Sequence, residues 1–248
     1  MDKTLLKGLR VLEYLAQSRE PDNTLATLTS RLDLSRSNIH RTLQTLIYTG
    51  YVERNDDGTY KCTKKILALG ARHLDGTDIK KILSPYKYKL LKQFGETIHL
   101  SILDGSEVIY IDKMDGIHPL IAYSRIGGRA PAYAVATGKA LLATHENSYV
   151  DLCIPRLEPH TNRTHQTLES LKQELEQVRT QGFAINAGEW RSEIYGIAVS
   201  IRDGLGNVWG FGLSGPVYRF TPEKTKEITE ELIVISKKIS SQLGCEDD

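Results

Sequence analysis

Apolar residues recur with helical spacing through the first fifty positions, and then the spacing changes. Leu5, Leu9, Leu12 and Ala16 fall on one face of a helix, with Leu6 and Leu15 beside them. Pro21, Asp22 and Asn23 break that pattern. Thr24 is then placed to cap a second, short helix with the stripe Leu25, Leu28 and Leu32. Ser35 is placed to cap a third, whose apolar positions Ile39, Leu43, Leu46 and Ile47 recur at i, i+4, i+7 and i+8, and Gly50 is placed to end it. Tyr51–Arg54 and Thr59–Cys62 flank Asp57-Gly58, a pair that favours a tight hairpin turn. Three short helices followed by a two-stranded hairpin is the order of a winged helix-turn-helix.

Residues from about Ile66 to Phe94 are helix-like, with Pro85 as an interruption. This predicts a connecting helix, a break, and the first helix of a second domain. Glu96–Gly105 and Glu107–Gly116 alternate as two strands joined at Asp104-Gly105, and Leu120–Gly127 reads as another strand. Ala136–Glu146 and Thr167–Gly182 look helical, and Gly196–Val217 reads as two strands around a glycine-rich turn. Pro222 suits the first position of a long closing helix. The expected fold class is α+β: a winged helix-turn-helix domain in 1–65, a linker helix in 66–84, and a domain with a central antiparallel sheet in 85–248.

Composition narrows the class. The chain has 248 residues, 40% hydrophobic, with a formal net charge of +1. No apolar run approaches the roughly 18–20 residues of a membrane span, and the charged N-terminus lacks a signal-peptide core. The expected location is therefore the cytoplasm, with no membrane partner. Cys62, Cys153 and Cys245 are far apart and form no metal or disulfide pattern. A near-neutral chain cannot bind nucleic acid by bulk charge, but the charge is uneven. Residues 1–65 carry eleven Lys/Arg against eight Asp/Glu, a balance of +3, and the remainder carries 21 against 23, or −2. The sign suits a DNA-binding end.

The third helix explains what that end offers. Its outer face carries Arg36, Ser37, Asn38, His40, Arg41 and Gln44 behind the cap Ser35, and no Asp or Glu occurs from Ser35 to Tyr48. In a helix-turn-helix such a face meets base edges and phosphates in the major groove. A plain solvated face is the alternative for this helix alone, but the second helix and the hairpin at the right spacing favour DNA recognition. Arg54 and Lys61 would act from the wing, with Lys64 and Lys65 just after it. Asp56 and Asp57 at its tip oppose deep insertion into a groove.

In the second domain, Ala136, Thr137 and Gly138 would start a short helix whose amides suit a small carboxylate. Lys139 reads as solvated. Tyr123, Tyr133, Trp190 and Tyr195 could line an aromatic site or simply pack. Enzyme-like patterns fail on inspection. Gly210–Gly215 matches G-x-G-x-x-G but reads as strand, with no helix after it. Tyr133–Ala140 lacks both ends of a P-loop. His160 and His165 share one predicted loop and read as unaccompanied by an acid or cysteine ligand, so no metal and no cofactor is expected.

Taken together, the motifs resemble the IclR family of bacterial transcriptional regulators over nearly the full length. KGLRVLEYLAQS is similar to the family's opening helix, and LSRSNIHRTLQTLIYTGYVERNDDGTYKC to its recognition helix and wing. FGETIHLSILDGSEVIYIDKMDG, SRIGGRAPAYAVATGKALLAT, LEQVRTQGFAINAGE and GFGLSGP follow its effector-domain signature. The resemblance implies a GAF-like effector-binding domain and a homodimer or homotetramer on double-stranded palindromic operator DNA. It also implies repression of a catabolic operon tuned by a small organic acid. By the same resemblance, the wall opposite Ala136–Gly138 comes from Asn186, Glu189, Ile194, Gly196, Ala198, Gly212 and Ser214. Strand-end use of Ser214 and helix-capping use of Thr137 are the alternatives. Tyr133 and Asn186 stand where the family often has His and an acid, and Cys62-Thr63 and Glu193 also depart from its pattern. LIAYSRIGGR is closer to members associated with sugar acids than with aromatic acids. A rival reading is a small-molecule-processing enzyme with a helical N-terminal appendage, which would show turnover of its ligand.

Overall fold

The computed structural model describes residues 1–18, 23–73, 79–119 and 124–245. The chain divides into two compact units, Met1–Asp78 and Ile79–Asp248.

In the first unit, α1 (Lys3–Gln17) is capped by Asp2, α2 (Leu25–Leu32) by Thr24, and α3 (Arg36–Tyr48) by Ser35. Between α2 and α3 the chain turns at Asp33, which adopts φ +52°, a conformation that Asp tolerates better than most residues. Strands β1 (Val52–Arg54) and β2 (Tyr60–Cys62) pair antiparallel, with Arg54 opposite Tyr60. The wing turn is longer than a two-residue hairpin. Asn55 N–H donates to Thr59 C=O at 2.8 Å, leaving a three-residue loop that closes with Gly58 at φ +85°. Val11, Leu15, Leu28, Leu32, Ile39, Leu43, Val52 and Tyr60 form one core. The face of α1 differs from expectation: Val11 and Leu15 are buried, whereas Leu5 and Leu9 are 61% and 47% exposed. Leucines occupy so much of this helix's circumference that spacing alone does not select the inward side. The break at Pro21-Asp22 lies outside the described residues. After β2 comes α4 (Lys65–His73).

The second unit opens with α5 (Ile79–Phe94), which runs straight through Pro85. The expected break there does not occur. Proline removes one helical hydrogen bond at a cost of about 3 kcal/mol, and burial of Ile79, Leu83, Leu90 and Phe94 on the sheet offsets it. A six-stranded antiparallel sheet follows, in the order β5-β4-β3-β8-β7-β6. Its strands are β3 (Thr97–Asp104), β4 (Glu107–Met114), β5 (Arg129–Pro131), β6 (Ala184–Ala187), β7 (Ile194–Arg202) and β8 (Val208–Pro216). The helices are α6 (Ala136–Leu142), α7 (Asn147–Cys153), α8 (Leu168–Gln181) and α9 (Pro222–Gln242). The strand expected at Leu120–Gly127 is not found in its described part, Ser124–Gly127, which is a turn. Leu120–Tyr123 lie outside the described residues.

Strand alternation divides the sheet into two unlike faces. Ile98, Leu100, Ile197, Val199, Phe211 and Leu213 pack with α5 and α9. The opposite face carries Gly196, Ala198 and Gly210 under α6, with α7 and α8 beyond. These residues are small because the helix lies close: a Cβ on Gly210 would stand 2.7 Å from the Thr137 carbonyl oxygen. Every residue of α6 is consequently buried. Among the described residues, no helix is long and apolar enough to cross a membrane.

Candidate functional site

In the first unit, Arg36, Ser37, His40, Arg41 and Gln44 all stand exposed on α3, opposite the buried Ile39 and Leu43. Asn38 is half-buried, and its side-chain oxygen accepts from Arg41 Nη2 at 3.2 Å, which steadies the guanidinium. Ser35 is spent on capping: its hydroxyl accepts from Asn38 N–H at 3.4 Å. On the wing, Lys61 pairs with Glu53 at 3.0 Å, and the Arg54 guanidinium stands 5.9 Å from the centre of the Tyr60 ring. Lys65 does not project: its Nζ donates to Thr49 C=O at 2.6 Å, at the end of α3.

The second unit holds a cavity of about 500 Å³ between the small-residue face of the sheet, the start of α6 and the segments 124–129 and 190–194. Six of the residues expected there line it: Ala136, Thr137, Asn186, Ile194, Gly196 and Ser214. Sequence reasoning did not place His99, Tyr110, Ser124, Arg125, Arg129, Arg191 and Glu193 there, and all of them line it, as does Trp190.

The polar groups at the floor are well defined. His99, buried on β3, has Nε2 2.7 Å from Ser214 Oγ and Nδ1 3.3 Å from Ser124 Oγ. Burial, with a smaller push from Lys113, lowers its pKa to about 3, so the imidazole is neutral at physiological pH. Asn186 Oδ1 accepts from the backbone N–H groups of Gly188 and Glu189 at 3.0 and 2.9 Å. Those two bonds fix the orientation of the amide, and Asn186 lines the cavity.

Five expected residues take other roles. Gly138 packs against the backbone of Ala132. Tyr133 turns its hydroxyl to the backbone of Glu158 and to His160 Nε2, 3.0 Å away. Gly212 permits close strand pairing: a Cβ there would stand 2.2 Å from the Ile197 carbonyl oxygen and 2.6 Å from the Ala198 Cβ. Ala198 itself belongs to the core under α6. Glu189 points away from the cavity to Lys139, which is 0% exposed rather than solvated. Lys139 Nζ donates to Glu189 Oε1 at 2.5 Å and to Glu174 Oε1 at 2.6 Å. His165 Nε2 lies 2.5 Å from the other Glu174 oxygen. Burial pushes the Glu174 carboxyl up, but His165 and Lys139 beside it more than offset this and hold it below its ordinary range.

An acid therefore does accompany His165, brought from α8. The side chains of His165, Glu174 and Glu189 have ligand atoms within 4.8 Å of one another, a geometry that could hold a metal ion. The Lys139 ammonium bonds both carboxylates, so a lysine provides the balancing cation.

The chain is similar to known proteins in sequence and fold. Residues 71–241 match the family described as bacterial transcriptional regulator IclR C-terminal, and residues 4–56 match the IclR helix-turn-helix domain. The chain is a member of the IclR family. Like its relatives it is a DNA-binding transcriptional regulator and not an enzyme. The HTH-type transcriptional regulator KdgR of Escherichia coli (strain K12) is 36% identical to it, over 98% of this chain and 94% of that one. The structure of Thermotoga maritima IclR matches with a TM-score of 0.78 at 30% identity, covering 97% of this chain and 98% of that one. An IclR homolog from Microbacterium hydrocarbonoxydans, complexed with 4-hydroxybenzoate, shares the fold: TM-score 0.78 at 20% identity, over 96% of this chain and 100% of that one.

The IclR signature segments contain most of the cavity residues that were missed. His99 sits in ETIHLS and Arg125 in SRIGG, but neither is marked by spacing. His99 reads only as one more residue of an alternating strand. The signal that could have found it is parity: His99 and Ser101 share a strand face with neither apolar neighbour, opposite Ile98 and Leu100.

Proposed function

We propose that this IclR-family chain is a ligand-responsive repressor of a catabolic operon. It binds a palindromic operator as a dimer or tetramer in the cytoplasm, through α3 and the wing, and a small organic acid in the cavity tunes that binding. The observation that carries the reading is the acid-free, exposed face of α3, raised on a winged helix-turn-helix. The cavity supports the second half, because it combines neutral donors and acceptors with guanidinium groups of a kind that recognise carboxylates. The M. hydrocarbonoxydans homolog, with 4-hydroxybenzoate bound, supports a small acid as effector. Sugar acids are the favoured class, since hydroxyl, amide and imidazole groups of Ser124, Thr137, Ser214, Asn186 and His99 line the cavity alongside the two aromatic side chains Tyr110 and Trp190. Tyr195 is turned onto Phe220 at 5.0 Å, and Tyr133 is engaged elsewhere.

Two measurements test the two halves. Arg41→Ala should weaken operator binding by roughly 1–3 kcal/mol, about 5- to 150-fold, while the melting point stays the same because Arg41 is exposed. Anisotropy titrations at two salt concentrations would check this, and unchanged affinity would remove Arg41 from the interface. A thermal-shift screen against sugar acids, 2-oxo acids and aromatic carboxylates tests the cavity. A ligand at a hundred times its Kd adds about 2.7 kcal/mol, enough to raise the melting point by roughly 5–10 °C. A flat screen across all three classes would sink the acid-effector reading.

A further inference from the structure

We infer that His99 and Ser214 form a reversible hydrogen-bond relay that lets the cavity take a carbonyl or a hydroxyl at the same ligand position. The effector class would thus include oxo acids and the matching hydroxy acids. The inference rests on the reading that an acid occupies this cavity. Its geometric basis is the line Ser124 Oγ, His99 Nδ1, His99 Nε2, Ser214 Oγ, with contacts of 3.3 and 2.7 Å and all three residues lining the cavity.

A neutral imidazole has one N–H and one lone pair. Two arrangements satisfy both ring nitrogens. In the first, Ser214 donates its proton to Nε2, the ring donates from Nδ1 to Ser124, and the Ser214 oxygen can only accept from a ligand hydroxyl. In the second, the ring donates from Nε2 to Ser214, Ser124 donates to Nδ1, and Ser214 turns its O–H toward a ligand carbonyl. Moving from one to the other transfers the ring proton from Nδ1 to Nε2: Ser214 gives its proton to Nε2 and takes another from water, while Nδ1 gives its proton to Ser124, which releases one to water, so all three groups end neutral. Burial keeps the ring neutral and hence able to serve in both senses. Lys113 and Asp115 are the charged groups acting on it, and they pair with each other at 2.5 Å.

Asn186 makes the contrast. Both backbone bonds to its Oδ1 fix the amide orientation, so its polarity is the same in every state. The cavity therefore has one group of fixed polarity and one group of reversible polarity. A site of fixed polarity rejects the wrong partner by about 10⁴-fold or more, because a buried polar group is left unpaired. A reversible relay removes that penalty.

The test uses the full-length, ¹⁵N-labelled protein at pH 7 with pyruvate and lactate, two acids that differ only in carbonyl against hydroxyl. Long-range ¹H–¹⁵N spectra report which ring nitrogen carries the proton, and the missing signals in His99→Gln assign the resonance. The expected result is protonation at Nε2 with pyruvate and at Nδ1 with lactate, with affinities within about tenfold of each other. Ser214→Ala should abolish the difference and weaken both acids alike. The same protonated nitrogen in both complexes would overturn the relay while leaving acid binding intact. So would silence from both probes when a larger acid binds. If no acid in the thermal-shift panel or this pair perturbs the protein, the acid-binding reading falls, and the relay falls with it.

Discussion

Lys139→Met is expected to destabilise the second unit by about 3–5 kcal/mol, since removing one member of a buried ion cluster strands the others. The ammonium is fully buried and bonds Glu174 and Glu189 directly. With it gone, two carboxylates share a site with only His165 and the Ala187 N–H, which donates to Glu189 Oε2 at 2.6 Å. Both tryptophans, Trp190 and Trp209, lie in this unit, so fluorescence during urea unfolding reports it selectively. The dependence on pH should separate lost charge from lost packing. In the wild type the Glu174 carboxyl is held below its ordinary value, so its contribution is present above the unfolded pKa and is lost as the solution acidifies through the folded pKa. In the variant the stranded carboxyls should titrate above their unfolded values. Their folded forms then gain stability as pH falls, and the two proteins converge in acid. Adding Glu174→Gln and Glu189→Gln to Lys139→Met should recover most of the loss at pH 7. A constant gap at all pH values would show that Lys139 acts through packing alone.

This cluster also shows what the sequence could and could not reveal. The winged helix-turn-helix was legible because local rules decide it: capping hydroxyls at Thr24 and Ser35, a helical stripe on α3, and a turn pair at Asp57-Gly58. The exposed face of α3 followed, because a side chain opposite a buried stripe must face out. The cavity was half legible. Ala136, Thr137, Asn186 and Ser214 come from segments whose family resemblance is strong. Glu189 and Lys139 come from equally recognisable segments, yet they pair with each other, a fact set by α6 lying flat on a sheet face of small residues. No local pattern marks Lys139 as buried, because the glycines that admit its helix lie 57 to 71 positions away, at Gly196 and Gly210. Pro85 misleads for the same reason: propensity argues for a break, and tertiary burial of α5 overrides it.

Gly138→Ala should reverse the usual sign of that substitution. Inside an exposed helix, Ala for Gly stabilises by about 1 kcal/mol. At Gly138 the added Cβ would stand 2.3 Å from the Ala132 carbonyl oxygen and 2.4 Å from its Cα. Those atoms belong to a buried turn, Ala132–Ala134, that cannot swing aside as a flexible side chain would. Either α6 lifts from the sheet or the turn is displaced, and the expected loss is about 3 kcal/mol, at the upper end for overpacking a dense core. Gly8→Ala is the matched control. Gly8 lies inside α1 with nothing within 4 Å of the added Cβ, so that variant should gain stability. Lifting α6 would also carry Ala136 and Thr137 away from the cavity floor. Gly138→Ala should therefore weaken acid binding even below its lowered melting point, whereas Gly8→Ala should leave acid binding unchanged. If Gly138→Ala were as stable as the wild type, the close seating of α6 against residues 132–134 would be wrong. The placement of the cavity wall that depends on it would then fail as well.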